Sequence, residues 1–135
     1  MQARENLYQK YGVYVHAQHS FTFEGESGMI WMQNIMEHLR THRPEQIDNL
    51  KVIQFADYEK QVSIDLTTGT ETTITLPKSN VLSFTLEQGA KVIIRPSGTE
   101  PKIKAYYTTT AATEAEAAAK KDELDAAFSA IMLAE

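Results

Sequence analysis

Apolar residues in this chain follow two different periods, and the switches between them outline the fold. Around Ser20-Phe21-Thr22-Phe23-Glu24, polar and aromatic positions alternate with the period of a half-buried strand. Gly25 and Gly28 mark a turn, and Ser27 stands where a helix cap belongs. From Met29 the spacing changes: Met32, Ile35, Met36 and Leu39 share one helical stripe, and Pro44 stops that helix just after residues 40–43. The middle of the chain returns to strand patterns at 50–55, at 61–65 after a turn at Asp57, and at 70–76 between Gly69 and Pro77. Further strands are expected at 80–85, with Val81, Ser83 and Thr85 on one side and Leu82 and Phe84 on the other, and at 91–95 after a Gln88-Gly89 turn. Beyond a loop at 96–101, Ile103, Ala105 and Tyr107 alternate with Lys102, Lys104 and Tyr106. Thr113 followed by Glu116 is a capping-box signature, and Leu124, Ala127, Phe128 and Ile131 supply the inner stripe of a C-terminal helix. The pattern predicts an α+β domain: a mainly antiparallel sheet of four to five strands flanked by two amphipathic helices. Residues 1–12, ending in Tyr11-Gly12, read as the tail of a helix; 1–13 form a linker or the tail of a preceding domain, and 14–135 the domain itself.

Length and composition narrow the function classes. At 135 residues the chain is one domain by prior, long enough to bury a core without covalent staples. It has no cysteine, which excludes disulfide scaffolds, thiolate zinc sites and cysteine nucleophiles. A net charge of -5 gives no general attraction for nucleic acid or anionic membranes, so an anion site has to be local. No apolar run is long enough for a membrane span, and the first residues lack a signal-peptide core; a cytoplasmic protein is expected.

One segment carries chemistry. In Arg95-Pro96-Ser97-Gly98-Thr99-Glu100-Pro101, the prolines Pro96 and Pro101 stiffen both ends and Gly98 allows positive φ. Between them lie two hydroxyls, several backbone N–H groups and the Arg95 guanidinium, a donor set that suits a phosphate. Lys102 or Lys104 would add positive charge. Glu100 would repel an anion if it faced inward; accepting loop N–H bonds or pairing with a basic neighbour would instead fix the loop's shape. The same residue types also make an ordinary tight hairpin, and motif chemistry alone leaves both readings open.

The stretch from Val92 to Tyr106, with RPSGTEPK at its centre, resembles the C-terminal phosphate-binding loop of the α-D-phosphohexomutases, which include phosphoglucomutase and phosphomannomutase. The approach through Tyr8–Gly12, Ser20–Gly25 and the 29–40 helix is similar too. The resemblance implies a TATA-box-binding-protein-like arrangement and the last of four domains of an enzyme that interconverts hexose 1- and 6-phosphates. It implies that Arg95, Ser97, Gly98, Thr99 and Lys104 hold the phosphate not being transferred, with Pro96, Glu100 and Pro101 shaping the loop. A phosphorylated hexose and the other three domains are the implied partners. Mg²⁺ and a hexose 1,6-bisphosphate are implied for the full-length enzyme, with no cofactor held by this chain.

The family's serine motif, its aspartate-rich metal loop and its sugar loop do not occur here, so the isolated chain is expected to be inactive. Glu24-Gly25-Glu26-Ser27-Gly28 echoes the sugar loop but reads as a turn and cap. Asp48, Asp57 and Asp65 are scattered, and Asp122-Glu123 reads as a solvated helix face, so no metal site is expected. The histidine pairs His16/His19 and His38/His42 lack a further ligand pattern. The alternative function is a freestanding anion-binding or protein-interaction module, with Met29, Trp31 and Met32 as its contact face or as surface bared by the loss of neighbouring domains.

Overall fold

A computed structural model of the chain describes residues 13–23, 25–48, 50–97 and 100–133. Eight strands and two helices run in the order β1 (Val13–Thr22), α1 (Gly28–Thr41), β2 (Gln46–Ile47), β3 (Leu50–Asp57), β4 (Val62–Asp65), β5 (Thr70–Thr73), β6 (Leu82–Leu86), β7 (Lys91–Pro96), β8 (Lys102–Ala111) and α2 (Glu114–Leu133). The strands form one antiparallel sheet in the order β1-β8-β7-β6-β3-β4-β5, and β2 adds a short hairpin on β3. The α+β class is as expected, but eight strands replace the expected four to five.

Strand β1 is also longer than expected, starting seven residues before the alternation that begins at Ser20. Val13, Val15, Ala17 and His19 point one way, and Tyr14, His16, Gln18 and Ser20 point to solvent. The period of two is there, but two histidines and an exposed tyrosine blur its contrast. The expected N-terminal helix tail and most of the linker at 1–13 lie outside the described residues, as does Glu24; Val13 is the first residue of β1.

Both helices pack on one face of the sheet. From that face Phe84 and Tyr107 meet Phe128 of α2, each placing its ring 6.2 Å from that of Phe128, and Phe55 packs on Phe84 at 5.2 Å. Met32, Ile35, Met36 and Leu39 of α1 join the same core, as the stripe predicted. On α2 the deepest residues are Ala117, Leu124, Phe128 and Met132; Ala127 and Ile131 are only partly covered. In β6, Leu82 and Phe84 face this core while Val81 precedes the strand.

The two helix starts behave differently. Thr113 Oγ1 accepts from Glu116 N–H at 3.2 Å, so the expected cap of α2 is present. Ser27 makes no side-chain cap bond on α1. Its backbone φ of -91° and ψ of 5° lies outside the extended region from which a cap hydroxyl reaches the first turn.

Two polar groups are tied into the packing. Arg40 of α1 is buried and bonded at each nitrogen: Nε donates to Asp57 at 2.9 Å, Nη2 to Asn80 at 2.7 Å and Nη1 to Glu37 at 3.3 Å. Under α2, Asp125 accepts from His19 at 2.7 Å and from Ser129 at 3.3 Å. Desolvation pushes the Asp125 carboxyl up, but hydrogen bonding, led by His19, outweighs it and holds the group below its ordinary value of 3.8. The nearby Tyr107 hydroxyl is buried without a hydrogen bond of ordinary geometry, and burial first, then the Asp125 charge, drives its pKa upward.

Phe128→Ala should cost about 3–5 kcal/mol in urea unfolding, because the rings of Phe84 and Tyr107 would be left beside the cavity. A folded-state pKa below the unfolded one means that Asp125 stabilises the fold above pH ~4 and that this contribution is lost as pH falls through the folded value. Asp125→Asn should therefore flatten the acid limb of the stability profile below about pH 4, read by urea midpoints between pH 2 and 6.

Candidate functional site

The loop flagged in the sequence connects β7 to β8 and is closed by a backbone bond and by the Ser97 and Glu100 side chains. Ser97 N–H donates to the Lys102 carbonyl at 2.8 Å, and Glu100 N–H donates to Ser97 Oγ at 3.2 Å. The Glu100 carboxylate sits 3.2 Å from Lys102 Nζ at the rim, which takes up the charge of that lysine. Pro96 ends β7 and Pro101 precedes β8. Gly98 and Thr99 lie outside the described residues.

Strand register brings the cations together. Arg95 of β7 stands directly opposite Lys104 of β8, and Lys104 in turn opposite Ser20 of β1. Their neighbours Ile94, Ala105 and Phe21 point into the core, so Arg95, Lys104 and Ser20 share the sheet face that carries no helix. Arg95 is exposed and Lys104 half-buried. Among the described residues neither makes an ion pair. Two like charges directly opposite across a ladder are unfavourable by themselves, and an anion seated between them reverses the sign.

The loop is held from the side by the start of α1. Phe23 N–H donates to the Pro101 carbonyl at 2.8 Å, which ties the end of β1 to the loop. Gly28, the first residue of α1, lies so close that a Cβ built there would stand 2.1 Å from the Phe23 carbonyl oxygen and 3.1 Å from Pro101 Cβ. Only glycine allows this approach. Sequence reading took Gly28 for turn punctuation and did not single out Ser20; the signal for Gly28 was its place after an aromatic strand end, and for Ser20 there was none before the register was known.

The other sequence candidates are dispersed. His19 bonds Asp125, His16 Nδ1 lies 3.1 Å from Thr108 Oγ1, and the rings of His38 and His42 stack 5.0 Å apart. Asp57 serves Arg40, and Asp65 bonds Thr67 in its own turn, which lowers its pKa. Asp122 and Glu123 are exposed, with Asp122 paired to Lys121. Among the described residues no three His, Asp or Glu side chains converge on a point that would hold a metal ion. Nor is any helix there long and apolar enough to cross a membrane. Trp31 is 40% exposed and packs edge-on against Phe23, beside exposed Ile30 and Met29.

Residues 40–127 match the family model described as phosphoglucomutase/phosphomannomutase, C-terminal domain. A phosphoglucomutase of Staphylococcus epidermidis is 43% identical over 89 residues, 66% of this chain and 16% of that protein. Those of Staphylococcus saprophyticus and Staphylococcus aureus are 36% and 38% identical over 104 residues, 77% of this chain and 19% of each relative. The chain thus spans less than a fifth of the length of these relatives. A Paramecium phosphoglucomutase structure (pp63/parafusin, open form) aligns over 94% of this chain and 22% of its own, with a TM-score of 0.49 and 16% identity.

Gly28→Ala should destabilise the domain by about 2 kcal/mol or more, since backbone atoms have to move to admit the methyl group. The amide signals of Glu100 and Lys102, on either side of Pro101, should shift in the same variant; unchanged signals there would mean that α1 does not hold the loop.

Proposed function

Because the chain belongs to the family of phosphoglucomutase and phosphomannomutase C-terminal domains, we propose that the β7–β8 loop holds the phosphate group of a phosphorylated hexose. The observation that carries this reading is the cross-strand pair Arg95–Lys104 at the mouth of the loop, two cations with no carboxylate paired to them among the described residues. Arg95 supplies a planar fork for two phosphate oxygens, and Lys104 a point charge beside it. Ser97, with Gly98 and Thr99, supplies hydroxyl and backbone donors; Pro96, Glu100 and Pro101 set the curvature of the loop.

Within a phosphohexomutase such a loop acts by positioning. It grips the phosphate that is not in transfer, so that the opposite end of the sugar is presented to the reacting groups. Phosphoryl transfer itself needs a nucleophile, a metal ion and a base. Acids that would hold Mg²⁺ do not converge here: Asp57 serves Arg40, Asp125 serves His19 and Glu100 serves Lys102. The residues described do not fit the ion, and we assign Mg²⁺, the bisphosphorylated intermediate and the transfer step to the other three domains of a cytoplasmic enzyme. Alone, this chain would bind phosphate and turn nothing over.

An amide NMR titration with inorganic phosphate and glucose 6-phosphate tests the reading. One loop with a few charge-assisted contacts should bind with a dissociation constant on the order of 1 mM, about 4 kcal/mol. Both ligands should shift residues 95–104 and Ser20, and Arg95→Gln should weaken binding about tenfold or more. Binding that survives Arg95→Gln unchanged, or shifts that fall outside this region, would overturn it.

A further inference from the structure

The helix-bearing face of the sheet is not covered to its edge. Past the end of α1, β3 and β4 leave a hollow of about 220 Å³ whose apolar lining is Phe55, Val62 and Ile64. A second hollow of about 360 Å³ opens along β3, and Arg43 lines both. The hollow over Phe55 lies on the opposite side of the sheet from the loop. Phe55 is in register with Phe84, and Phe84 with Val92, all facing the helices, whereas Arg95 points the other way.

Charge at this place is unevenly matched. Arg40 draws in Asp57 and Glu37, with Glu59 at 3.8 Å and Asn80 as a further acceptor. Arg43, three residues on, has none of them. Its guanidinium lies over the Phe55 ring, 5.6 Å from the centroid, and makes no ion pair among the described residues. Lys60, in the turn at the rim, makes none either. Glu71 and Glu45 also line the two hollows, and neither reaches pairing distance of Arg43. A half-buried arginine beside apolar surface, without an acid in a chain of net charge -5, leaves a binding capacity unused.

We propose that this hollow binds a small organic anion, a carboxylate or phosphate carried on a flat apolar body of about ten heavy atoms, the size that such a volume admits. The Arg43 fork takes the anionic head, Lys60 adds charge from the rim, and the body lies on Phe55, Val62 and Ile64. The Arg40–Asp57 pair is already satisfied and serves as a fixed wall. Nothing in this assignment depends on the loop at residues 95–104.

A methyl and arginine-side-chain NMR titration of the 135-residue chain with benzoate, and with benzyl alcohol as its neutral analogue, tests the proposal. Benzoate should shift the Val62 and Ile64 methyl signals and the Arg43 Nε–H, and benzyl alcohol should bind at least fivefold more weakly. Arg43→Gln should lower benzoate affinity at least fivefold. Because that change also strips the cover from Phe55, Lys60→Gln at the exposed rim gives an independent reading, an expected loss of about twofold. No methyl shifts at about 50 mM benzoate, shifts confined to residues 95–104, equal binding of the two probes, or parental affinity in both variants would each overturn it.

Discussion

Strand β8 is paired along all ten of its residues with β1 and along six of them with β7, so its side chains have to alternate between two very different environments. One side meets α2 and the aromatic core; there Ile103, Ala105, Tyr107 and Thr109 are buried. The other side carries no helix, and Lys102, Lys104, Tyr106 and Thr108 take it. A slip of one residue would drive Lys104 into the core and Ile103 out of it, which no neighbouring contact could offset. That register is what sets Arg95 against Lys104. The candidate site is thus a by-product of burying Ile94 and Ala105 on the far side of the same ladder.

Three arginines show how differently one charge is treated in this small domain. Arg40 is buried and bonded to Asp57, Asn80 and Glu37, so removing Asp57 would leave its Nε–H without a partner in the interior at a cost of about 1–3 kcal/mol. Arg95 is exposed in a face of like charge, and Arg43 sits half-covered over an aromatic ring without a carboxylate. The first holds α1 to the sheet. The other two make no ion pair among the described residues and lie on opposite faces of the sheet. A net charge of -5 conceals this, because among the described residues the acids near these cations either pair elsewhere, as Asp57 does with Arg40, or make no ion pair with them, as with Glu45 and Glu71.

Elements whose signal is local were legible in the sequence. The α1 stripe appears at the predicted positions because helical spacing and core packing ask for the same residues. Thr113 caps α2 for the same reason, since a cap is completed within four residues. Ser27 matched the residue preference but not the backbone angles, at a point where the chain also brings Gly28 close against Phe23 and Pro101. The first half of β1 escaped notice because its inward residues, Val13, Val15, Ala17 and His19, are only partly buried. A strand that is half-covered at the edge of a sheet is under weak selection for hydrophobic contrast.

The sequence by itself determined the α+β class, the two helices, the family and the segment that carries the loop, because these depend on residues adjacent in the chain or on a contiguous motif. Tertiary structure alone decided which side chains meet. Ser20, Lys104 and Arg95 come from three strands and are neighbours only through register. Arg40 finds Asp57 and Asn80 across 17 and 40 residues of chain, and Arg43 comes to overhang Phe55 at the open end of the helix layer. Hydrophobic periodicity specifies which face of each element turns inward, but the order in which strands pair and the point where a helix ends above them follow from packing the whole core at once.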